Sequence, residues 1–301
     1  MPSSTGQQRI SIPGRVLDWA SCVIGAITVV RDASGRRTNS KVWELTSVDG
    51  ARFFLKISPS KVAHDREVHA YQFAVPALGL GRAPRLQAAD PAQMALLLTS
   101  APGQRVANTA LGMSSLIRVH RQVGYLLREL HDAQVASSKA KVDAVAEVRA
   151  RTASAAKGVA AAGDLLSRAE QELVLRLARE LPHLEACPTA FVHGDAQEGN
   201  VLWDGASGCA ALLDFAQARP SVAVVDFVRP SVGRWTNNPR LRRAFFTGYG
   251  RELTGAERKV LPALAAVDAV ESLLRGVRMR DSEATERARL TLKLLAGCAR
   301  P

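Results

Sequence analysis

Between residues 191 and 215 the chain reads FVHGDAQEGNVLWDGASGCAALLDF, and this stretch leaves little freedom in local structure. Phe191 and Val192 bring an apolar run to a polar turn, Val201, Leu202 and Trp203 resume it, and Ala210 to Leu213 form a second run. The segment from Asp204 to Gly208 between the last two runs has turn composition, which predicts a hairpin. His193, Gly194, Asp195, Asn200 and Asp214 are thereby held on strand ends within one short reach. A carboxylate, an amide and a second carboxylate are hard oxygen donors. They suit Mg²⁺, which proteins hold with one or two carboxylates while substrate phosphates complete the shell.

Upstream, residues 23–31 are apolar and β-branched, 42–48 alternate, and Asp49-Gly50 precedes RFFLKIS, so three antiparallel strands are expected with a tight turn before the third. The connection RDASGRRTNS, which includes Asn39 and Ser40, has the small hydroxyls and backbone amides of a loop able to cover phosphates. Lys56 lies in the third strand on the face of Phe54 and Ser58 if alternation holds. A lysine among apolar neighbours wants a carboxylate, and the following helical segment offers Asp65 and Glu67, which sequence barely separates. His64 and His69 flank that helix and are expected to be exposed or capping.

The run MALLLTS (94–100) predicts a short buried strand, and the Pro102-Gly103 break after it a hinge at about residues 96–104. Leu116, Val119, Val123, Leu126, Leu127 and Leu130 recur at helical spacing. The Ala-rich residues 133–186 predict two helices broken near Gly163, as a partly exposed insertion. Beyond the hairpin, Asp226 sits in an apolar run, and Leu261 to Val277 is the clearest late helix. The order of elements implies an α+β chain of two lobes. Residues 1–100 are expected to form a small antiparallel β-sheet N-lobe, and residues 105–301 a larger, mainly helical C-lobe that contains the 191–215 stretch.

Composition narrows the class. With 47% hydrophobic and 23% charged residues, the 301-residue chain is an ordinary globular one. Its start lacks a basic, then apolar, leader, and the early apolar run is too short for a bilayer, so neither secretion nor membrane insertion is expected. Four scattered cysteines argue against a disulfide framework or zinc site and for reduced thiols in a cytoplasm. The net charge of +12 permits anionic partners. Residues 191–230 nevertheless carry two basic and five acidic groups, the local balance of a metal and nucleotide site in a basic chain. Nucleic acid is disfavoured, because no arginine-rich segment is interleaved with aromatics and no recognition helix is apparent.

Phosphoryl transfer needs positioning more than covalent help: a metal on the phosphates, a cation on the non-transferred ones and a carboxylate facing the acceptor hydroxyl. Asp195 is the candidate for the hydroxyl, Asn200 and Asp214 for Mg²⁺, Lys56 for the α and β phosphates, and Glu67 for holding Lys56. The glycine spacing of Gly194 to Asn200 imitates a P-loop, but Asn200 stands where lysine is required.

HGDAQEGN followed by LLDFAQA resembles the aminoglycoside phosphotransferase and choline kinase-like family, relatives of protein kinases that phosphorylate small-molecule hydroxyls. The resemblance implies a two-lobed protein kinase-like fold, with ATP or GTP as donor and Mg²⁺ as cofactor. It assigns catalysis to Asp195, metal binding to Asn200 and Asp214, and bracing of the loop to His193 and Asp226. It places Lys56 and Glu67 as the family's lysine and helix glutamate. It also makes LLLTSAPG the hinge, where Thr99, Ser100 and Ala101 meet the purine. Gln197 stands two residues beyond Asp195 where many relatives have histidine, and is expected to alter loop packing only.

The acceptor is a small hydroxylated molecule, an antibiotic inactivated for resistance being the leading expectation. Residues 231–301 carry 14 basic and 7 acidic residues, which favours a neutral or anionic sugar or nucleoside compound over a polycationic aminoglycoside. Trp235, Asp268, Glu271 and Arg275 are the candidate acceptor contacts. The alternatives are an aminoglycoside or metabolite kinase for choline or a sugar, and a non-catalytic nucleotide- or nucleic-acid-binding protein.

Overall fold

The computed structural model describes residues 12–34, 40–133 and 138–298. Helix α1 (Gly14–Ile24) leads into strands β1 (Ile27–Asp32), β2 (Lys41–Ser47) and β3 (Arg52–Ile57), then α2 (Lys61–Phe73), β4 (Leu86–Asp90) and β5 (Ala95–Thr99). These strands make one antiparallel sheet in the order β1-β2-β3-β5-β4. The β2–β3 turn is the expected one, with Gly50 at φ 84° and the Ser47 amide 3.0 Å from the Ala51 carbonyl.

The strand expected from residue 23 begins only at Ile27, because Val23 and Ile24 complete α1. The continuous apolar run hid the boundary, whereas Val16 and Ala20, one helical turn apart, carry the helix signal. They pack on one face of the sheet against Trp43, Leu45, Leu55, Ala95 and Leu97. Alternation sends Leu96 and Leu98 to the opposite face, into the main core. Burial on both faces is why β5 reads as an unbroken apolar run. Strand β4 escaped prediction because LQAAD has weak strand propensity.

Beyond β5 come β6 (Gln104–Arg105), α3 (Met113–Asp132), α4 (Ser138–Ala162), α5 (Arg168–Ala178) and β7 (Thr189–Val192). The hairpin is β8 (Val201–Asp204) and β9 (Cys209–Leu212), followed by β10 (Arg219–Val222), α6 (Val228–Val232), α7 (Pro239–Tyr249), α8 (Gly255–Met279) and α9 (Ser282–Cys298). Strand β8 pairs with β9 and β6, and β7 with β10. Helices α3 and α7 touch backbone to backbone, since a Cβ on Gly124 would stand 2.1 Å from the Phe245 carbonyl oxygen. The partly exposed insertion formed by α4 and α5 also contributes to the core. Ala155, Val159, Leu173 and Val174 are buried in the main core, because small side chains let α4 close on α8.

The result is a two-lobed α+β fold, an antiparallel sheet lobe against a mainly helical one. Among the described residues no helix is long and apolar enough to cross a membrane.

Candidate active site

The loop after β7 is fixed from beneath by one buried carboxylate. Asp226 accepts the backbone amides of His193 and Gly194, each at 2.7 Å, and the Nε2–H of His131 at 2.9 Å. The other ring nitrogen of His131 lies 2.8 Å from the Tyr249 hydroxyl. Burial, the largest influence on Asp226, raises its pKa, but His131 and the amide donors outweigh it and hold the carboxyl below its ordinary value. Gly194 has φ 79°, and a Cβ there would meet the Gln217 carbonyl oxygen at 2.5 Å, so the turn requires glycine.

His193 links the loop to the hairpin. Its Nε2 lies 3.0 Å from the Leu213 carbonyl oxygen, its Nδ1 accepts the Asp195 amide at 3.3 Å, and its ring packs on Phe215. The structure thus brings His193 and Asp226 to the two sides of the same short segment.

Asp195 sits at the head of the loop. The Asn200 amide nitrogen donates to its Oδ2 at 2.9 Å, and Gln197 Nε2 lies 3.0 and 2.9 Å from its two carboxylate oxygens. Gln197 therefore does more than alter loop packing. It grips the carboxylate itself, a contact that its position two residues from Asp195 made possible and that sequence reasoning passed over. Burial raises the Asp195 pKa, and the charges of Arg229 and His193 with the Gln197 hydrogen bond offset only part of the rise.

Asp214 ends the hairpin with φ 63°, a left-handed conformation that costs a non-glycine residue about 1–3 kcal/mol and tends to mark functional sites. Its neighbour Leu213 donates its amide to the Asn200 carbonyl at 2.8 Å, so the two oxygen-bearing side chains stem from adjoining backbone. Across the cleft, Lys56 places Nζ 2.9 Å from Glu67 Oε1 and 2.7 Å from Asp214 Oδ1. Asp65 is excluded as the partner, because it pairs with Lys61 at 2.7 Å on the exposed side of α2. Burial is the largest influence on all three groups. For Lys56 it is outweighed by Glu67 and Asp214, so the ammonium is held protonated. For Asp214 it is outweighed by Lys56, which lowers that pKa, whereas for fully buried Glu67 it prevails and the pKa is raised.

His64 is buried on α2, contrary to the exposed or capping role expected of it, while the helix is capped by the Ser60 side chain. Ser40 stands immediately before β2, and Asn39 lies outside the described residues. At the end of β5, Thr99 and Ser100 donate their amides to the Arg85 and Arg52 carbonyls at 2.8 and 3.1 Å, and Ala101 follows.

Beside Asp195 opens a cleft of about 490 Å³, walled by α3, residues 196–199 of the loop, residues 229–234, α8 and α9. Asp268 and Arg275 line it. Trp235 does not, being 4% exposed among Phe245 and Phe246 behind the wall, and exposed Glu271 faces Ser154 on α4. Both carboxylates of the wall are already met by arginine: Glu198 by Arg234 at 2.8 Å and Asp268 by Arg229 at 3.5 Å. Arg275 and Arg287 add further positive charge. Arg229, Arg234 and Arg287, with His120 on α3, come from distant parts of the chain and carried no local motif, whereas Arg275 was among the expected contacts.

Two lobes thus meet at a cleft, with a lysine on the sheet facing a carboxylate at the end of the hairpin. The chain belongs to the phosphotransferase enzyme family, whose model matches residues 29–263. Comparison of the sequence with curated proteins finds no match. Among solved structures, the GDP and kanamycin complex of APH(2")-IIia is similar at TM-score 0.64 and 15% identity, over 94% of this chain and 100% of that one. An aminoglycoside phosphotransferase from Alicyclobacillus acidocaldarius aligns at TM-score 0.62 and 17% identity, over 98% of this chain and 97% of that one. A spectinomycin phosphotransferase, APH(9)-Ia, solved with ADP and spectinomycin, aligns at TM-score 0.58 and 16% identity, over 95% and 94%. At these identities the likeness carries the two-lobed, kinase-like fold, and the enzyme class follows from the family.

Proposed function

We propose that this chain transfers the γ-phosphoryl group of ATP or GTP, with Mg²⁺, to a hydroxyl of a neutral or anionic small molecule. A sugar or nucleoside antibiotic is the favoured acceptor, with resistance by inactivation in the cytoplasm as the biological setting. The observation that carries the proposal is the ion-paired set Lys56, Glu67 and Asp214, which joins the lobes beside Asp195 and Asn200. The N-lobe then comprises residues 1–100, the hinge residues 96–104 and the C-lobe residues 105–301.

The donor set fits a magnesium ion. Asn200 turns its amide nitrogen to Asp195, which directs its carbonyl oxygen away from that carboxylate, and Asp214 adds a second hard oxygen. Among the described residues no group of three or more His, Cys, Asp or Glu side chains could hold a metal alone. Two protein oxygens, with phosphates and water completing the shell, match the way Mg²⁺ is held. When bound, the ion neutralises phosphate charge.

Lys56 meets the non-transferred phosphates, positioned by Glu67. The Thr99 and Ser100 amides already donate to the Arg85 and Arg52 carbonyls, so a hinge amide for the purine comes from Ala101. The acceptor oxygen attacks the γ-phosphorus, the bond from that phosphorus to the β,γ-bridging oxygen breaks, and the hydroxyl proton passes to Asp195. A raised pKa makes Asp195 a better acceptor for that proton than an ordinary aspartate. The cleft beside it holds no carboxylate without an arginine partner among Glu198 and Asp268, which disfavours polycations.

The test is phosphate transfer by the purified protein with ATP and GTP separately against kanamycin, erythromycin, uridine and glucuronate. Transfer to uridine or glucuronate supports the proposal. Transfer confined to kanamycin contradicts its acceptor class.

A further inference from the structure

His120 is the buried polar side chain of the cleft wall that the reaction scheme leaves without a task. It projects from α3, is 8% exposed, and lines the cleft beside Val119, Val123 and Phe245. Its Nδ1 lies 3.3 Å from the indole Nε1 of Trp235. An indole N–H only donates, so Nδ1 must be the acceptor, and in a neutral imidazole the proton then resides on Nε2. Protonating the ring would set two N–H groups against each other. Burial, with the charge of Arg234 second, lowers the His120 pKa to about 4, in keeping with a ring that stays neutral.

We propose that His120 is a specificity-determining residue of the acceptor cleft, locked by Trp235 in its Nε2–H form so that it donates a hydrogen bond to an oxygen of the acceptor. The inference rests on reading the cleft as the acceptor site. Its chemical content is a one-way filter. A carbonyl, ether or hydroxyl oxygen can accept from Nε2–H. An ammonium group finds no lone pair there, since the only one on the ring faces Trp235. Trp235 acts through His120 as a positioning residue, which places the tryptophan behind the acceptor wall rather than in it.

The experiment is nitrogen NMR of the full chain labelled at histidine imidazole, at neutral pH, free and titrated with kanamycin, erythromycin, uridine and glucuronate. The expected spectrum shows His120 as the single Nε2–H tautomer, and uridine, erythromycin or glucuronate shifts its Nε2 signal while kanamycin, whose ammonium groups are repelled by the arginines of the wall, does not. Trp235→Phe should keep a cooperative unfolding transition yet give a tautomer mixture, a change that loss of packing alone does not produce. His120→Phe should weaken binding of the shifting compound about tenfold, and His120→Gln, which keeps an N–H donor, by less. An Nδ1–H tautomer in the wild type overturns the inference. So does failure of all three oxygen-rich compounds to move the signal, or wild-type affinity in His120→Phe. The acceptor-site reading fails separately if Asp195→Asn transfers phosphate at the wild-type rate, whatever His120 does.

Discussion

Lys56 on the sheet and Asp214 at the end of the hairpin lie 2.7 Å apart across the two lobes, while Glu67 holds the same ammonium from α2 at 2.8 Å. One cation is therefore shared by two carboxylates, one deeply buried and one facing the cleft. The arrangement stores a dependence that substitutions should expose.

Lys56→Met strands Glu67, whose side chain is 0% exposed, without its cation. Breaking a buried pair from one side typically costs about 3–5 kcal/mol. The single variant should lose that much in urea unfolding, and Lys56→Met combined with Glu67→Leu should recover most of it. Equal stability of the two variants would show that Glu67 does not depend on Lys56.

Gly194→Ala places a Cβ 2.5 Å from the Gln217 carbonyl oxygen at a φ of 79°. Strain of this kind costs about 1–3 kcal/mol, so thermal unfolding should shift down and phosphate transfer should fall further than stability does. A variant with wild-type activity would mean that the loop tolerates a different turn.

Asp226 gives a pH signature. Its folded-state pKa is depressed, so the stability it contributes is present above the unfolded value near 3.8 and is lost as pH falls through the lower folded value. Asp226→Asn should therefore be less stable than wild type at neutral pH, with the difference shrinking in acid. Denaturant unfolding at a series of pH values measures it. A difference that grows in acid would reverse the assignment.

Asp195 behaves oppositely. Its raised pKa predicts that the acid limb of the activity profile lies above the ordinary aspartate value of 3.8. Gln197→Ala removes a hydrogen bond that lowers this pKa, so the limb should move to higher pH. A limb that stays in place or moves down would exclude Gln197 as a holder of the carboxylate.

The hairpin was legible because apolar runs and a turn bound it, and Lys56 on the Phe54 face because a strand alternates. The choice of Glu67 over Asp65 needed the helix phase, which Ser60 and the packing of α2 set. Helix α1 was hidden by an apolar run that crosses a boundary at Gly25. The cleft beside Asp195 had no local signature, since α3, the loop, residues 229–234, α8 and α9 meet only after folding. Trp235 shows the consequence. As an aromatic near the cleft it was a reasonable contact, yet its polar atom is spent on His120.

Asp195 is proposed to take the proton of an acceptor hydroxyl as the γ-phosphoryl group is transferred. Phosphorus NMR of a mixture of purified protein, Mg²⁺, ATP or GTP and the four test acceptors measures it directly. The wild type should form a new phosphate ester, and folded Asp195→Asn should do so at a rate lower by about 10² to 10⁴. An ester formed equally fast by Asp195→Asn would contradict it.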